Sequence, residues 1–361
     1  MRFHIEYERT VPERRRDGFR PDKPKFSVRW AMPVTAVVAD YLAVQHDGTD
    51  ATVERAFFAR ARTGFDAPWG PDCHEELRHT GANGLTDSVV VAYWTDLTRH
   101  AMWKRSSGFH GWWQAEARER DGVGYWRETV SVPYDRFETI FSEPYYRVGV
   151  GRTARSELAE TYTAGYFGAM RDRLPISAID ALESPYGDAM PEARHAAWPA
   201  RRIRIELPPN VVCIRSGQYW QRAEGEQLED YHTQLQPKLE AGMQHLVAHP
   251  DTSGCLLLRP LVNLDAHGEP LRETSKHGYF LSLGHLERWS ESHQTHLDIF
   301  RHALAMRRKY GAERSVVTWH EVFVLGTAPA FEYLNCHAET GLLPFAHLWG
   351  SAVASLAAPS I

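Results

Sequence analysis

The sequence predicts an α+β fold in which two copies of one ferredoxin-like module form a β-barrel surrounded by helices. Three observations carry this. First, "YWTDLTRHAMWKRSSGFHGWW", "GYWRETVSV" and "RFETIF" can be laid in that order over "YFLSLGHLERWSESHQTHLDIF", "VTWHEVFVL" and "AFEYLN". Trp103 then falls on Trp289, His110 on His296, Trp126-Arg127-Glu128 on Trp319-His320-Glu321, and Phe137-Glu138 on Phe331-Glu332. Second, each copy opens with a strand-like run followed by a helical one. Third, the resulting order of strand, helix, strand, helix, strand, strand gives two sheets that can face each other with their helices outside.

The first 27 residues are charged and carry four prolines or glycines, so they are expected as an arm over the domain, or partly disordered. The barrel domain is expected over 28–345, with the first copy at about 28–142, a linker at about 143–205 and the second copy at about 206–345. Residues 346–361 form a C-terminal tail. In the first copy "VVADYLAVQ" reads as a strand and residues 52–62 as a helix. In the second, "NVVCIRSGQ" is the strand; the helix spans 226–247, where Leu228, Tyr231, Leu235, Leu239 and Leu246 recur at helical spacing. "SVVTWHEVFVL" is apolar on both faces, as a strand with a core on one side and helices on the other should be. The linker holds "GYFGAMRDRLPIS", which has no counterpart in the other copy, and long unduplicated loops often carry function.

Composition narrows the function classes. A net charge of −5 offers no overall attraction to nucleic acid, and 43% hydrophobic with 24% charged residues is ordinary for a globular chain. The N-terminus lacks the apolar centre of a signal peptide, so a cytoplasmic protein is expected. "WGSAVASLAAPSI" falls short of the ~20 apolar residues that span a bilayer. The four cysteines form no Cys-x-x-Cys pair, which argues against a structural zinc site and a disulfide framework. The 19 histidines and 12 tryptophans are more distinctive, because both can line a pocket for a flat aromatic cofactor.

"ESHQTHLDIF" sets His293 and His296 three apart, beside an apolar stripe of Leu297, Phe300 and Leu304. Zinc would need further ligands for which no residue has a clear claim. Haem asks for a single neutral imidazole in an apolar pocket, which His296 suits; a hydrogen-bonded core histidine is the plainer alternative. Thr295 with Asp298 predicts a capping box that starts a helix at His296, with His293 just before it. Strand alternation puts Val316, Thr318, His320, Val322 and Val324 on one face, where His320 is the odd residue. Its unperturbed pKa of ~6.5 suits proton transfer. Glu321 recurs as Glu128 and reads as scaffold, whereas His320 is replaced by Arg127. His296 recurs as His110, the second candidate ligand, although glycines and large rings around it point to packing. Ser216 ends an apolar strand face and, with Gly217, reads as the start of a turn. Pro175 pushes Leu174 out of helical geometry, so Arg173 sits where the chain leaves a structured segment, and Arg171 reads as a salt-bridge residue.

"GAMRDRLPIS", "IRSGQYW", "LERWSESHQTHLDIF", "WHEV" and "FEYLNCHAETGLL" together resemble the aldoxime dehydratases, haem enzymes that convert aldoximes to nitriles. The resemblance runs from about Phe26 to Leu343, with motifs in the same order and at similar spacing. It implies a dimeric α+β barrel, a homodimer, an aldoxime substrate and haem b active as Fe(II). It also implies His296 as the proximal iron ligand, His320 as the distal catalytic histidine, Arg173 and Ser216 as the pair that holds the oxime hydroxyl, and Glu138 as support for the distal network. Other readings of the same barrel are a haem peroxidase or chlorite-dismutase-like enzyme, and a non-catalytic haem sensor or carrier.

Overall fold

A computed structural model describes residues 5–195, 201–326 and 329–353. Leading into and building the first half are β1 (Lys25–Trp30), β2 (Ala36–His46), α1 (Ala51–Phe65), β3 (Cys73–Thr80), β4 (Thr86–Trp94), α2 (Leu97–Ser106), α3 (Phe109–Gln114), β5 (Gly124–Pro133) and β6 (Phe137–Phe141). The connection carries β7 (Ser156–Thr161), α4 (Ala169–Arg173) and β8 (Arg202–Glu206). The second half comprises β9 (Val212–Tyr219), α5 (Gly225–Asp230), α6 (Gln236–Ala248), α7 (Pro250–Ser253), β10 (Cys255–Leu264), β11 (Pro270–Phe280), α8 (Leu283–Ser292), α9 (Gln294–Tyr310), β12 (Val317–Val324) and β13 (Ala330–Leu334). Short α10 (Ala346–Trp349) and β14 (Gly350–Ala352) follow. No described helix is long and apolar enough to cross a membrane.

Within one continuous sheet the strands run β5-β2-β4-β3 in the first half and β12-β9-β11-β10 in the second. Each order is that of a ferredoxin-like module with its fourth strand beside its first. The two are joined edge to edge by a short ladder between β3 and β10, and β5 approaches β12 on the other side. This makes an α+β barrel. β2 is buried along its whole length because one face lines the barrel and the other lies under helices. Val37, Tyr41, Val91, Trp126, Cys213, Trp319 and Phe323 fill the interior. A second core packs the first half's helices on its sheet, and a third, including Val212, Val322, Val324, Leu246 and Leu286, lies under those of the second half.

An exchange between the halves places the site. β6, which follows the first module, pairs with β12 of the second, while β13, which follows the second, pairs with β5 of the first. Glu138 is therefore delivered to the second module's sheet, with Val322 as its direct partner.

Several local expectations need correction. Ser216 and Gly217 do not begin a turn but lie within β9. A glycine is needed there because a Cβ at 217 would stand 2.4 Å from the Trp319 ring. α9 starts at Gln294, not His296, since Thr295 N–H donates to Nδ1 of His293, which supplies the N-cap. The helical stripe from Leu228 to Leu246 is present, with one π turn over Tyr231–Leu235 just before Pro237, whose missing N–H disrupts the α-helical ladder. The N-terminal arm packs on the molecule. Thr10 and Val11 N–H groups donate to the Ala178 carbonyl at 2.8 and 2.9 Å, and Arg14 and Arg15 N–H groups donate to the Asp172 carboxylate.

Candidate active site

Alternation along β12 sends Trp319, Glu321 and Phe323 into the barrel and His320 outward, toward the helix layer. Register sets Ser216 of β9 directly beside His320 on one flank and Ile140 of β6 on the other. Glu138, one step along β6 on the same face, puts Oε1 2.8 Å from His320 Nε2. Arg173, the last residue of α4, donates from Nε to Glu138 Oε2 at 2.5 Å and from Nη1 to the Thr163 carbonyl at 2.8 Å. Its Nη2 lies 3.2 Å from His320 Nε2. Leu174 leaves helical geometry at φ −81°, ψ 114°, as Pro175 requires. Half-buried His320 and buried Glu138 and Arg173 therefore form one ion-paired cluster, with the Ser216 hydroxyl next to it making only a 3.3 Å bond to the Trp319 carbonyl. Arg171 stays outside, bridging to Glu287 of α8 at 2.7 Å.

Electrostatics gives the members different protonation. Burial opposes ionisation of Glu138, but the charges and hydrogen bonds of Arg173 and His320 outweigh it and bring its pKa to about 2. It is a carboxylate at any working pH. Burial lowers the pKa of His320, while the charge and hydrogen bond of Glu138 oppose that fall and Arg173 and Lys25 add to it. A neutral imidazole can offer Nε2 to Glu138 as a donor or to Arg173 as an acceptor, but not both. Protonation satisfies Glu138 and leaves Nδ1–H, which has no partner among the described residues and is not among their polar atoms sealed from solvent.

Across from this cluster stands α9. It packs along α6 and α8, not on the sheet, and none of its 17 residues is fully buried, although Leu297, Ile299, Phe300 and Leu304 are apolar. On the facing strands Ile214, Ser216, Thr318 and His320 are likewise only half-buried. Half-buried on both sides, the two surfaces are not sealed against each other by protein atoms. His296, in the first turn of α9, donates from Nδ1 to the Ser290 carbonyl at 2.7 Å, which fixes the tautomer and leaves the Nε2 lone pair without a partner among the described residues. Burial lowers its pKa, and the charges of His320 and Lys25 reach it and lower it further. His293 is occupied elsewhere, stacked on His245 at 3.5 Å. His110 lies on the first module's face, among Trp112, Trp113 and Phe109, with Nδ1 buried and unpartnered.

A profile of the haem-containing dehydratases matches residues 41–342. The chain belongs to this family. An aliphatic aldoxime dehydratase of Pseudomonas chlororaphis is 35% identical over 343 residues, covering 94% of this chain and 96% of that protein. A phenylacetaldoxime dehydratase of Bacillus sp. (strain OxB-1) is 30% identical, covering 91% and 93%. A crystal structure of an aldoxime dehydratase in complex with butyraldoxime superposes with a TM-score of 0.84 at 33% identity and 94% coverage of each chain. As a haem-containing dehydratase the protein is a lyase with haem as cofactor.

The site fits that group. His296 offers a neutral Nε2 held by a carbonyl behind it, the usual support of a metal-bound imidazole. Met170, Ile176, Ile214, Met243, Leu258 and Trp289, packed on the core under the second module's helices, stay half-buried, and Trp289 meets the His296 ring edge-on at 4.8 Å, so apolar surface is available beside this imidazole. A cavity of about 300 Å³ opens elsewhere, at the seam of β3 and β10, and shares no residue with this site. Sequence reasoning missed Lys25, whose charge reaches both histidines. Alternation along β1, with Phe26 and Val28 turned into the barrel core, is the signal that puts Lys25 on the outer face.

Proposed function

We propose that this haem-containing dehydratase converts aldoximes to nitriles and water, using haem b held by His296, with His320 as its general acid. The observation that carries the reading is the Arg173–Glu138–His320 cluster within electrostatic reach of His296, an imidazole whose Nδ1 is held by a carbonyl and whose Nε2 has no partner among the described residues.

Haem held by His296 would supply, as Fe(II), the electron-rich centre that cleavage of an oxime N–O bond needs. The protein does the rest. Arg173 and Ser216 orient the oxime hydroxyl by hydrogen bonds, Arg173 through the guanidinium protons that Glu138 and Thr163 leave free. Glu138 holds the His320 ring and favours its protonated form. His320 passes its Nδ1 proton to the departing oxygen, and the neutral ring then accepts the proton from the aldoxime carbon. The N–O and C–H bonds break, a third C–N bond forms, and the hydroxyl and proton leave as water. Apolar surface beside the site limits competing solvent.

By the same family resemblance the proposal includes a cytoplasmic homodimer, whose mass in sedimentation would be twice the 41.2 kDa of one chain. The deciding experiment adds an aldoxime to dithionite-reduced, haem-loaded protein without oxygen and follows the haem spectrum and nitrile release. Spectral change with stoichiometric nitrile supports the reading. Peroxide-driven dye oxidation without nitrile indicates a peroxidase, and binding without turnover a carrier or sensor.

A further inference from the structure

We infer that Lys25, Arg307 and Arg314 form the seat for the two carboxylates at the edge of the haem, so that this end of the site sets how the cofactor lies. The inference rests on haem binding at His296.

Arg307 lies eleven residues after His296 on α9, three turns on and on the same face, about 16 Å along the axis. Its Nη2 donates to the Pro24 carbonyl at 2.8 Å, which brings it to the start of β1. Lys25 is the first residue there, on the outer sheet face that also carries Glu138 and His320. Surrounding protein atoms, with Arg173, Arg314 and Arg307, pull its ammonium pKa down to about 8, although Lys25 keeps half-open surface. Such a combination describes a side chain facing an enclosed space. Arg314, just before β12, is buried, and its pKa is lowered by burial and by Arg307.

None of the three is neutralised. Among the described residues no carboxylate stands within 4.0 Å of Lys25, Arg307 or Arg314. Glu143 is the carboxyl whose charge reaches all three, and burial pushes its pKa up. Glu138 also reaches Lys25 and Asp230 also reaches Arg314, but Glu138 is paired with Arg173 and Asp230 with His302, so Glu143 is the carboxyl left for three cations, and the excess of two positive charges is costly unless an anion is present. Two carboxylates balance them, and guanidinium groups bind carboxylates with two parallel hydrogen bonds.

The test titrates haem-free protein with haemin and with haemin dimethyl ester, whose carboxylates are blocked. The unmodified protein should bind haemin at least tenfold more tightly. The double variant Lys25→Met/Arg307→Met, which keeps the side-chain stems, should lose that preference while its reduced carbon monoxide adduct keeps the spectrum of a histidine-ligated haem. Equal affinity of the unmodified protein for haemin and ester overturns the inference, as does an unchanged preference in the variant. The comparison on unmodified protein stands even if the variant folds poorly. Neither arm involves an aldoxime, so failure here leaves the dehydratase reading intact, and absence of nitrile formation by haem-loaded protein leaves the carboxylate seat intact.

Discussion

The two modules share one architecture and differ in what covers their outer faces. On the first, Arg127 takes the place of His320 and is tied to the buried carboxylate of Asp40, which also accepts from Thr129 and contacts His100. Trp103, Phe109 and Trp113 close over it, Trp103 donating to the Gly64 carbonyl at 2.6 Å, and the helix bearing His110 is only six residues long. On the second module the helix bearing His296 runs for 17 residues and leans on other helices instead of the sheet. The same scaffold is thus filled on one side and unsealed on the other. Glutamates common to both copies, Glu128 and Glu321, lie inside the barrel and bond Arg259 with Tyr333 and Tyr93 respectively. Repetition preserved the frame, and the site arose where the repeat is broken.

The comparison breaks most severely if the unsealed face does not hold haem. His296→Ala should yield protein with almost no bound haem and no turnover, read by haem content per chain. A haem-replete variant would move the ligand elsewhere and end the assignment. Next, His320→Ala should keep its haem and lose ~10²–10⁴-fold in turnover, the span expected of a general acid. Near-normal nitrile formation would remove His320 from the mechanism.

Much of this was legible in the sequence because it obeys short-range rules. Alternation singled out His320 on its strand and ran Val212, Ile214 and Ser216 along another, which the register then sets side by side, and Pro175 placed Arg173 where the chain leaves a structured segment. The duplication showed that His320 was not part of the frame. What escaped depends on long-range pairing. Nothing local says that β6 joins the other module's sheet, which is why Glu138 belongs with His320 and not with its own copy. The turn expected at Ser216 failed for a similar reason, since Gly217 answers to a ring 102 positions away. Lys25 and Arg307 carry no local signal, since only the fold brings the start of β1 to the end of α9.

Smaller effects sharpen the contrast. Glu138 raises the pKa of His320, so Glu138→Gln should let it fall further below the usual imidazole value. Less of the acid form is then present at a given pH, and the limb of kcat/KM that declines with rising pH should move to lower pH. Glu138 itself stays ionised to about pH 2 and contributes no limb of its own in that range. A lower rate with an unmoved limb would make Glu138 purely structural. Ser216→Ala removes one neutral hydrogen bond, about 1 kcal/mol, and should reduce kcat/KM roughly fivefold with haem content unchanged. A loss as large as that of the His320 variant would give the hydroxyl a direct part in proton transfer.

The smallest expected effect tests the filled face. His110 matches His296 in the repeat and sits at the corresponding start of a helix, so a ligand role by analogy has to be measured and not dismissed. Its surroundings argue otherwise: burial, with the charges of Arg127 and Lys104, lowers its pKa, Nδ1 is sealed without a partner, and Phe109, Trp112 and Trp113 pack beside it in the first module's outer core. His110→Phe replaces an unsatisfied buried nitrogen with a ring of similar shape, which relieves a polar cost without opening a cavity. Haem content and nitrile formation should stay within about twofold of the unmodified protein, and thermal stability should hold or rise. Loss of haem from this variant, with the fold intact by circular dichroism, would mean that the first module holds a cofactor ligand after all and that the contrast between the two faces has been drawn the wrong way round.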